Sequence, residues 1–308
     1  MDPMEGKKRR LAHELRGPFD LSINRKLGIQ FYNMQTQYIH FGFDGKRTGV
    51  ETYHLKLRCL PAELSGRGLD EYTCEELGLQ LGDKGRMTTL PRLDHFTYRF
   101  DMMSSAMGKG PVFGIPHEPF EGLTDSAGNK LSTDICYAVY NNFIDFHSLN
   151  DVFSRPMKYG KGIQELKSIG DRVVHASAFT EAPVSLGTFI KPGSTFRNGE
   201  VSLELKGVTT IDNAACALVG YDSGESILKM IIAPGMSDQE FLTEGGSEYK
   251  GDIYIDLETG LVRKITLDEN VVSQIQGPNL PAKIPMYTVR HLLLRLVSEQ
   301  EFERRNAG

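Results

Sequence analysis

Cysteine is scarce in these 308 residues: Cys59, Cys74, Cys136 and Cys216 are the whole complement. They are too few and too scattered for a disulfide scaffold, and none forms the C-x-x-C pair of a zinc site, so no metal is expected. Cys59 and Cys74 fall where neighbouring strands can bring them together, a pairing for an oxidising compartment; in a reducing one they read as small buried hydrophobes. The nucleotide fingerprints G-x-x-x-x-G-K-[ST] and G-x-G-x-x-G after a strand are missing, as are the G-x-S-x-G elbow and the H-E-x-x-H motif. Those absences lower the case for an enzyme without abolishing it, and no cofactor is expected. No stretch approaches the roughly 20 apolar residues that a membrane helix needs. The first thirty residues have no signal-peptide core either, because Lys7, Lys8, Arg9 and Arg10 are followed by His13, Glu14 and Arg16. Taken literally, the chain is expected in the cytoplasm, with export following only if its start is not native. A net charge of −5 and a pI near 5.9 argue against a nucleic-acid or acidic-membrane footprint.

What the chain does have is one antiparallel strand after another. Ile253, Ile255 and Leu257 alternate with Asp252, Tyr254 and Asp256; Glu258-Thr259-Gly260 supplies a loop; Leu261, Ile265 and Leu267 resume the alternation. A three-residue loop sets Leu257 opposite Leu261, Ile255 opposite Arg263 and Ile253 opposite Ile265. Arg263 then sits on an apolar face, either snorkelling at a sheet margin or anchoring an anion. Upstream, Val201, Leu203 and Leu205 alternate, Ala217, Val219 and Tyr221 lead into a turn, and Gly245-Gly246-Ser247 reads as the next reversal. Such close spacing leaves no room for crossover helices, which excludes a doubly wound nucleotide-binding fold here.

The N-terminal part is also β-like. Ile39, Phe41 and Phe43 alternate before Asp44-Gly45, Tyr53, Leu55, Leu57 and Cys59 before Pro61, and Leu77, Leu79 and Leu81 before Gly82; Phe96, Tyr98, Phe100 and Met102 form a fourth run. Residues 104–130 are broken by glycine and proline and read as a binding loop, a lid or a crossover packed through Val112, Phe113, Ile115 and Phe120. A helix over 132–155 follows, capped by Ser132, Thr133 or Asp134 and carrying Ile135, Val139, Phe143, Phe146 and Phe153 on one face. A short helix at 163–169 and a lobe boundary within 157–198 come next. Residues 286–297 fit strand or helix, strand being favoured beside β neighbours, and 298–308 read as a polar tail.

One polar constellation could carry chemistry. His147 and Asp151 are four apart on one helical face, and His117 in the preceding loop can fold toward them; imidazole and carboxylate together bind a divalent metal or pass a proton. The acidic residues Asp252, Asp256, Glu258, Asp268 and Glu269 describe a solvated sheet face better than a calcium loop.

The stretch Tyr249-Lys250-Gly251-Asp252-Ile253-Tyr254-Ile255-Asp256, with Thr259-Gly260-Leu261-Val262-Arg263-Lys264 after it, resembles the strand, turn and strand of lipoprotein-carrier-like proteins. The resemblance covers about residues 200–275. It implies an unclosed β-barrel around helices and an apolar cavity, and non-catalytic binding of an acyl chain or hydrophobic protein segment, with no ligand residue carried over.

The expected fold is therefore a β-rich α+β protein in which curved antiparallel sheet packs against one main helix, as one lobe or two. Residues 1–30 form a tail, 31–160 an N-terminal β lobe with the long loop and the helix, and 161–308 a C-terminal antiparallel β lobe. The expected function is non-enzymatic binding of a hydrophobic small molecule, lipid or partner segment in a concave sheet–helix cavity. Phe100, Phe113, Phe143 and Phe146 would line it, and Arg263 would hold an anion. The alternatives are a metal-dependent or acid–base enzyme using His117, His147 and Asp151, and an interaction module pairing through exposed sheet edges.

Overall fold

The computed structural model describes residues 17–21, 28–66, 68–107, 111–233, 239–280 and 282–304; the basic cluster Lys7–Arg10 lies outside them. Fourteen strands occur among the described residues: β1 (Gln30–Phe41), β2 (Arg47–Leu60), β3 (Glu71–Leu81), β4 (Thr88–Thr89), β5 (Phe96–Arg99), β6 (Arg172–Ala176) and β7 (Phe179–Glu181), then β8 (Thr195–Asn198), β9 (Val201–Ile211), β10 (Ala214–Asp222), β11 (Ser226–Ile232), β12 (Phe241–Asp256), β13 (Val262–Gln276) and β14 (Ile284–Val297). All join one sheet in the order β4-β3-β2-β1-β14-β13-β12-β10-β9-β6, with β5 beside β3 and a branch from β12 through β11 and β8 to β7. Every pairing is antiparallel, as short connections require, and the ends of the path do not pair with each other, so the sheet stays open. Because β1 pairs with β14, the first and last strands are neighbours and both halves of the chain share one sheet.

One main helix packs on the buried face of the sheet. Of three α-helices among the described residues, α1 (Ala62–Ser65) and α3 (Glu299–Glu303) are single turns, whereas α2 (Thr133–His147) spans fifteen residues and continues into a π-helical turn at Ser148–Phe153. Ile135, Val139, Tyr140, Phe143 and Phe146 recur on one face of α2 and are buried with Tyr32, Leu55, Leu57, Leu77 and Leu79 of the sheet. Val201, Leu203, Leu205, Val219, Ile253 and Ile265 from the far side of the sheet belong to the same core. Each such side chain stabilises the fold by about 1.5–3 kcal/mol on full burial.

Several local expectations change. Gly245-Gly246-Ser247 is not a reversal: it lies inside the 16-residue β12, where Gly245 lets the Val272–Ser273 backbone approach closely. The hairpin between β12 and β13 keeps Ile253 opposite Ile265 but sets Ile255 opposite Val262, leaving Arg263 as the extra residue of a bulge. The cause is Asp256. Its carboxylate accepts the Glu258 and Thr259 N–H groups, both at 2.9 Å, and its carbonyl accepts Gly260 N–H at 2.8 Å, which lengthens the loop.

The 163–169 helix shrinks to one 3₁₀ turn, Ile163–Glu165. In the expected tail, Phe19 and Leu21 are buried and Phe19 N–H bonds Lys167 O at 2.8 Å. The polar C-terminal tail is instead α3, capped by Ser298. Its Phe302 packs on Phe31 at 5.0 Å, and Lys56 Nζ donates to the carbonyls of Phe302 and Arg304 at 2.9 and 3.0 Å, where the helix dipole favours a cation. The 104–130 segment packs through Phe113, Ile115 and Phe120, all buried. The four cysteines are buried; Cys59 and Cys74 lie on adjacent strands, one opposite Tyr72 and the other opposite Leu57.

Candidate functional site

Helical spacing brings His147 and Asp151 together at the junction of α2 with the π-helical turn. His147 Nδ1 lies 2.6 Å from Asp151 Oδ2, and neither side chain reaches solvent. With Asp151 ionised, Nδ1 carries the proton and Nε2 accepts from Tyr98 Oη at 2.7 Å. Tyr72 Oη donates to the same carboxylate at 3.3 Å, Arg155 forms a close ion pair with it, and Arg155 also reaches Asp70 at 3.1 Å. Phe100 stacks on the imidazole at 4.7 Å. Burial pushes the Tyr72 and Tyr98 phenols well up, so both stay protonated donors. Burial opposes the Arg155 charge, but Asp151 outweighs it and holds the guanidinium above its ordinary range. The network closes on itself inside the core and ties α2 to β3 and β5.

His117 does not join it. Its ring packs edge-on against Tyr140 at 5.1 Å, and Tyr140 precedes His147 by seven residues, about 10 Å along the helix. Among the described residues no three His, Cys, Asp or Glu side chains are grouped to hold a metal ion. Phe143 and Phe146 are fully buried and Phe113 nearly so; with Phe120, Tyr72 and Tyr98 they form a packed aromatic core. Arg263 is spent locally, its Nε and Nη2 both meeting Asp256 Oδ2, at 2.8 and 2.6 Å.

The polar part of the helix-covered face lies toward the other end of the long strands. One cross-strand row runs Tyr249, Glu269, Arg290, Tyr38 and Glu51 over β12, β13, β14, β1 and β2; the next runs Ser247, Val271, Thr288, His40 and Gly49. Arg290 pairs closely with Asp145 of α2, meets Glu269 at 2.7 Å and faces the Tyr38 ring at 5.8 Å. Burial, partly offset by Arg290, pushes the Asp145 carboxyl up. Sequence reasoning missed these residues because hydrophobic alternation picks out Ile39 and Phe41, whereas the inward set of β1 is Tyr32, Met34, Thr36, Tyr38 and His40. The available signal was that second, mixed alternation.

Near the β1–β2 turn the outward set makes an apolar surface. Ile39 lies beside Val50 and Val289, and in the next row Phe41 lies beside Tyr287, which lies beside Val272. Phe43 falls in the turn after β1 and is 80% exposed; Val272 is 62% exposed. Phe41, Phe43, Val272, Pro285, Met286 and Tyr287 line an open cleft of about 460 Å³. Exposed apolar groupings of this kind mark binding surfaces more often than isolated exposed residues do.

No protein-family model and no curated protein matches the chain. Among solved structures it is similar to an anion-selective porin from Comamonas acidovorans, at 9% identity over 88% of this chain and 99% of the porin, with a TM-score of 0.20. It is also similar to a loop-deletion mutant of an outer membrane protein of Vibrio cholerae, at 7% identity over 86% of this chain and 98% of that one, with a TM-score of 0.15. Scores this low assign neither function nor location. The lipoprotein-carrier resemblance shares with the structure an antiparallel sheet left open around a helix, and no match ties the chain to that family. Among the described residues no helix is long and apolar enough to cross a membrane.

Proposed function

We propose that the protein binds a small apolar molecule or acyl chain, and that contact is made at the cleft between the β1–β2 turn and the ends of β13 and β14. The observation that carries this reading is the exposure of Phe43 and Val272 beside Phe41, Tyr287 and Met286 around one open volume of about 460 Å³, within the usual size of small-ligand sites. Six side chains are far fewer than the roughly 20–30 residues a side of a stable protein interface, which favours a small ligand over a protein partner. The interior phenylalanines contribute stability to this reading, and the cleft supplies the contact.

The chain has no tryptophan, so Phe43→Trp creates a single fluorescent reporter in the cleft. Titration with N-phenyl-1-naphthylamine is expected to shift and saturate its emission, and Val272→Ser in the same background to weaken binding about tenfold, the effect of one apolar anchor lost. Emission that does not respond, or binding unchanged in Val272→Ser, would overturn the reading.

A further inference from the structure

Two groups of the second row, Thr288 and His40, and Glu51 at the end of the first stand in an order of chemical interest. Thr288 Oγ1 of β14 lies 3.1 Å from His40 Nδ1 of β1, and His40 Nε2 lies 3.5 Å from Glu51 Oε1 of β2. Tyr53 Oη donates to the other Glu51 oxygen at 2.6 Å and fixes that carboxylate. Both His40 and Glu51 are partly open to solvent, with 29% and 22% of their side chains exposed, unlike the sealed His147 and Asp151. Opposite His40 stands Gly49, whose missing side chain leaves one flank of the imidazole uncovered, while the Tyr38 ring lies parallel to it at 6.5 Å. Burial alone would push the Glu51 carboxyl up. The nearby His40 imidazole and the Tyr53 hydrogen bond outweigh it and hold the group below its ordinary value, as an anion facing Nε2. In the tautomer with Nε2–H toward Glu51, the Nδ1 lone pair faces the threonine hydroxyl.

We propose that Thr288, His40 and Glu51 form an acyl-transfer set, with Thr288 as nucleophile, His40 as general base and Glu51 as the positioning residue that fixes the imidazole tautomer. The substrate class is a small activated carboxylic ester. Thr288 Oγ1 bonds to the carbonyl carbon and gives its proton to His40 Nδ1; the ester C–O bond breaks, and the alcohol or phenol leaves with the bonding electron pair and that proton. Water then attacks the acyl-threonine carbonyl, losing a proton to His40; the acyl C–Oγ1 bond breaks, the carboxylic acid leaves, and Oγ1 takes that proton back. The hydroxyl–imidazole distance is within the reach such pairs require, and the imidazole–carboxylate distance is of the looser kind seen before substrate is bound. The set is recognised by geometry and roles, as such sets occur on unrelated folds. Cross-strand pairing for stability alone makes similar contacts but no covalent bond.

The test incubates the full chain with p-nitrophenyl acetate and follows acetyl transfer by intact and peptide mass spectrometry. Its acyl group is the smallest available and needs no apolar cleft, so this outcome is independent of the cleft reading. Acetylation is expected at Thr288, retained in Thr288→Ser and lost in Thr288→Val. It should slow by at least about 100-fold in His40→Gln and by about tenfold in Glu51→Gln, with unfolding temperatures unchanged in both. Acetyl groups confined to lysines and the N-terminus, or an equal rate on Thr288 in His40→Gln, would overturn the proposal.

Discussion

His147 Nδ1 and the Asp151 carboxylate meet at 2.6 Å, one turn apart, with Arg155 closing the far side of the carboxylate and no solvent at either side chain. Removing one member of a buried charged set leaves the others uncompensated, which costs far more than the intact set contributes. Asp151→Asn keeps the shape and removes the charge, leaving Arg155 with Asp70 as its anionic partner among the described residues. The expected loss is about 3 kcal/mol in urea unfolding. A loss under about 1 kcal/mol would show that the network is energetically idle.

Gly251 is a position where no side chain fits. A Cβ there would fall on the Thr266 carbonyl and within 2.7 Å of Tyr221 Oη, which itself donates to Thr266 O at 2.7 Å. The tyrosine ring thus covers the glycine and bonds the neighbouring strand over it. Gly251→Ala should destabilise the protein by roughly 2–3 kcal/mol, as overpacking does, read as a fall in unfolding temperature. Tyr221→Phe, which loses only the hydrogen bond, should cost about 1 kcal/mol.

The Asp256 turn gives stability a pH dependence of definite sign. Burial would push this carboxyl up, but the Thr259 N–H, the Arg263 guanidinium and the Glu258 N–H together hold it below its ordinary 3.8. A carboxyl lowered on folding adds stability above its unfolded value and loses it as pH falls through the folded one. Asp256→Asn should therefore be about 2 kcal/mol less stable near neutral pH, with the gap to the parent closing below the ordinary 3.8. Urea midpoints at several pH values for both proteins measure it; a gap constant with pH would refute the assignment.

Local physics made much of the fold legible. Period-two alternation marked Val201–Leu205, Ala217–Tyr221, Ile253–Leu257 and Tyr53–Cys59 as half-buried strands, because a pleated chain turns alternate side chains to opposite faces. Helical spacing from Ile135 to Phe146 marked the helix that lies on them, and four-residue spacing brought His147 to Asp151.

Tertiary structure decided what local patterns leave open. Ile39 and Phe41 alternate as a core strand would, yet they face outward, because β1 lies between β2 and β14 with Tyr32, Met34 and Tyr38 turned to the helix. Gly245-Gly246 reads as a turn until a long partner strand needs close backbone approach. Three residues far apart in the chain, Thr288, His40 and Glu51, become neighbours only because β14 closes against β1. Sequence patterns set which residues alternate and where the chain turns. Which face is buried, and which distant polar groups meet, follows from strand order and register, since one step of register moves every side chain to the other side of the sheet.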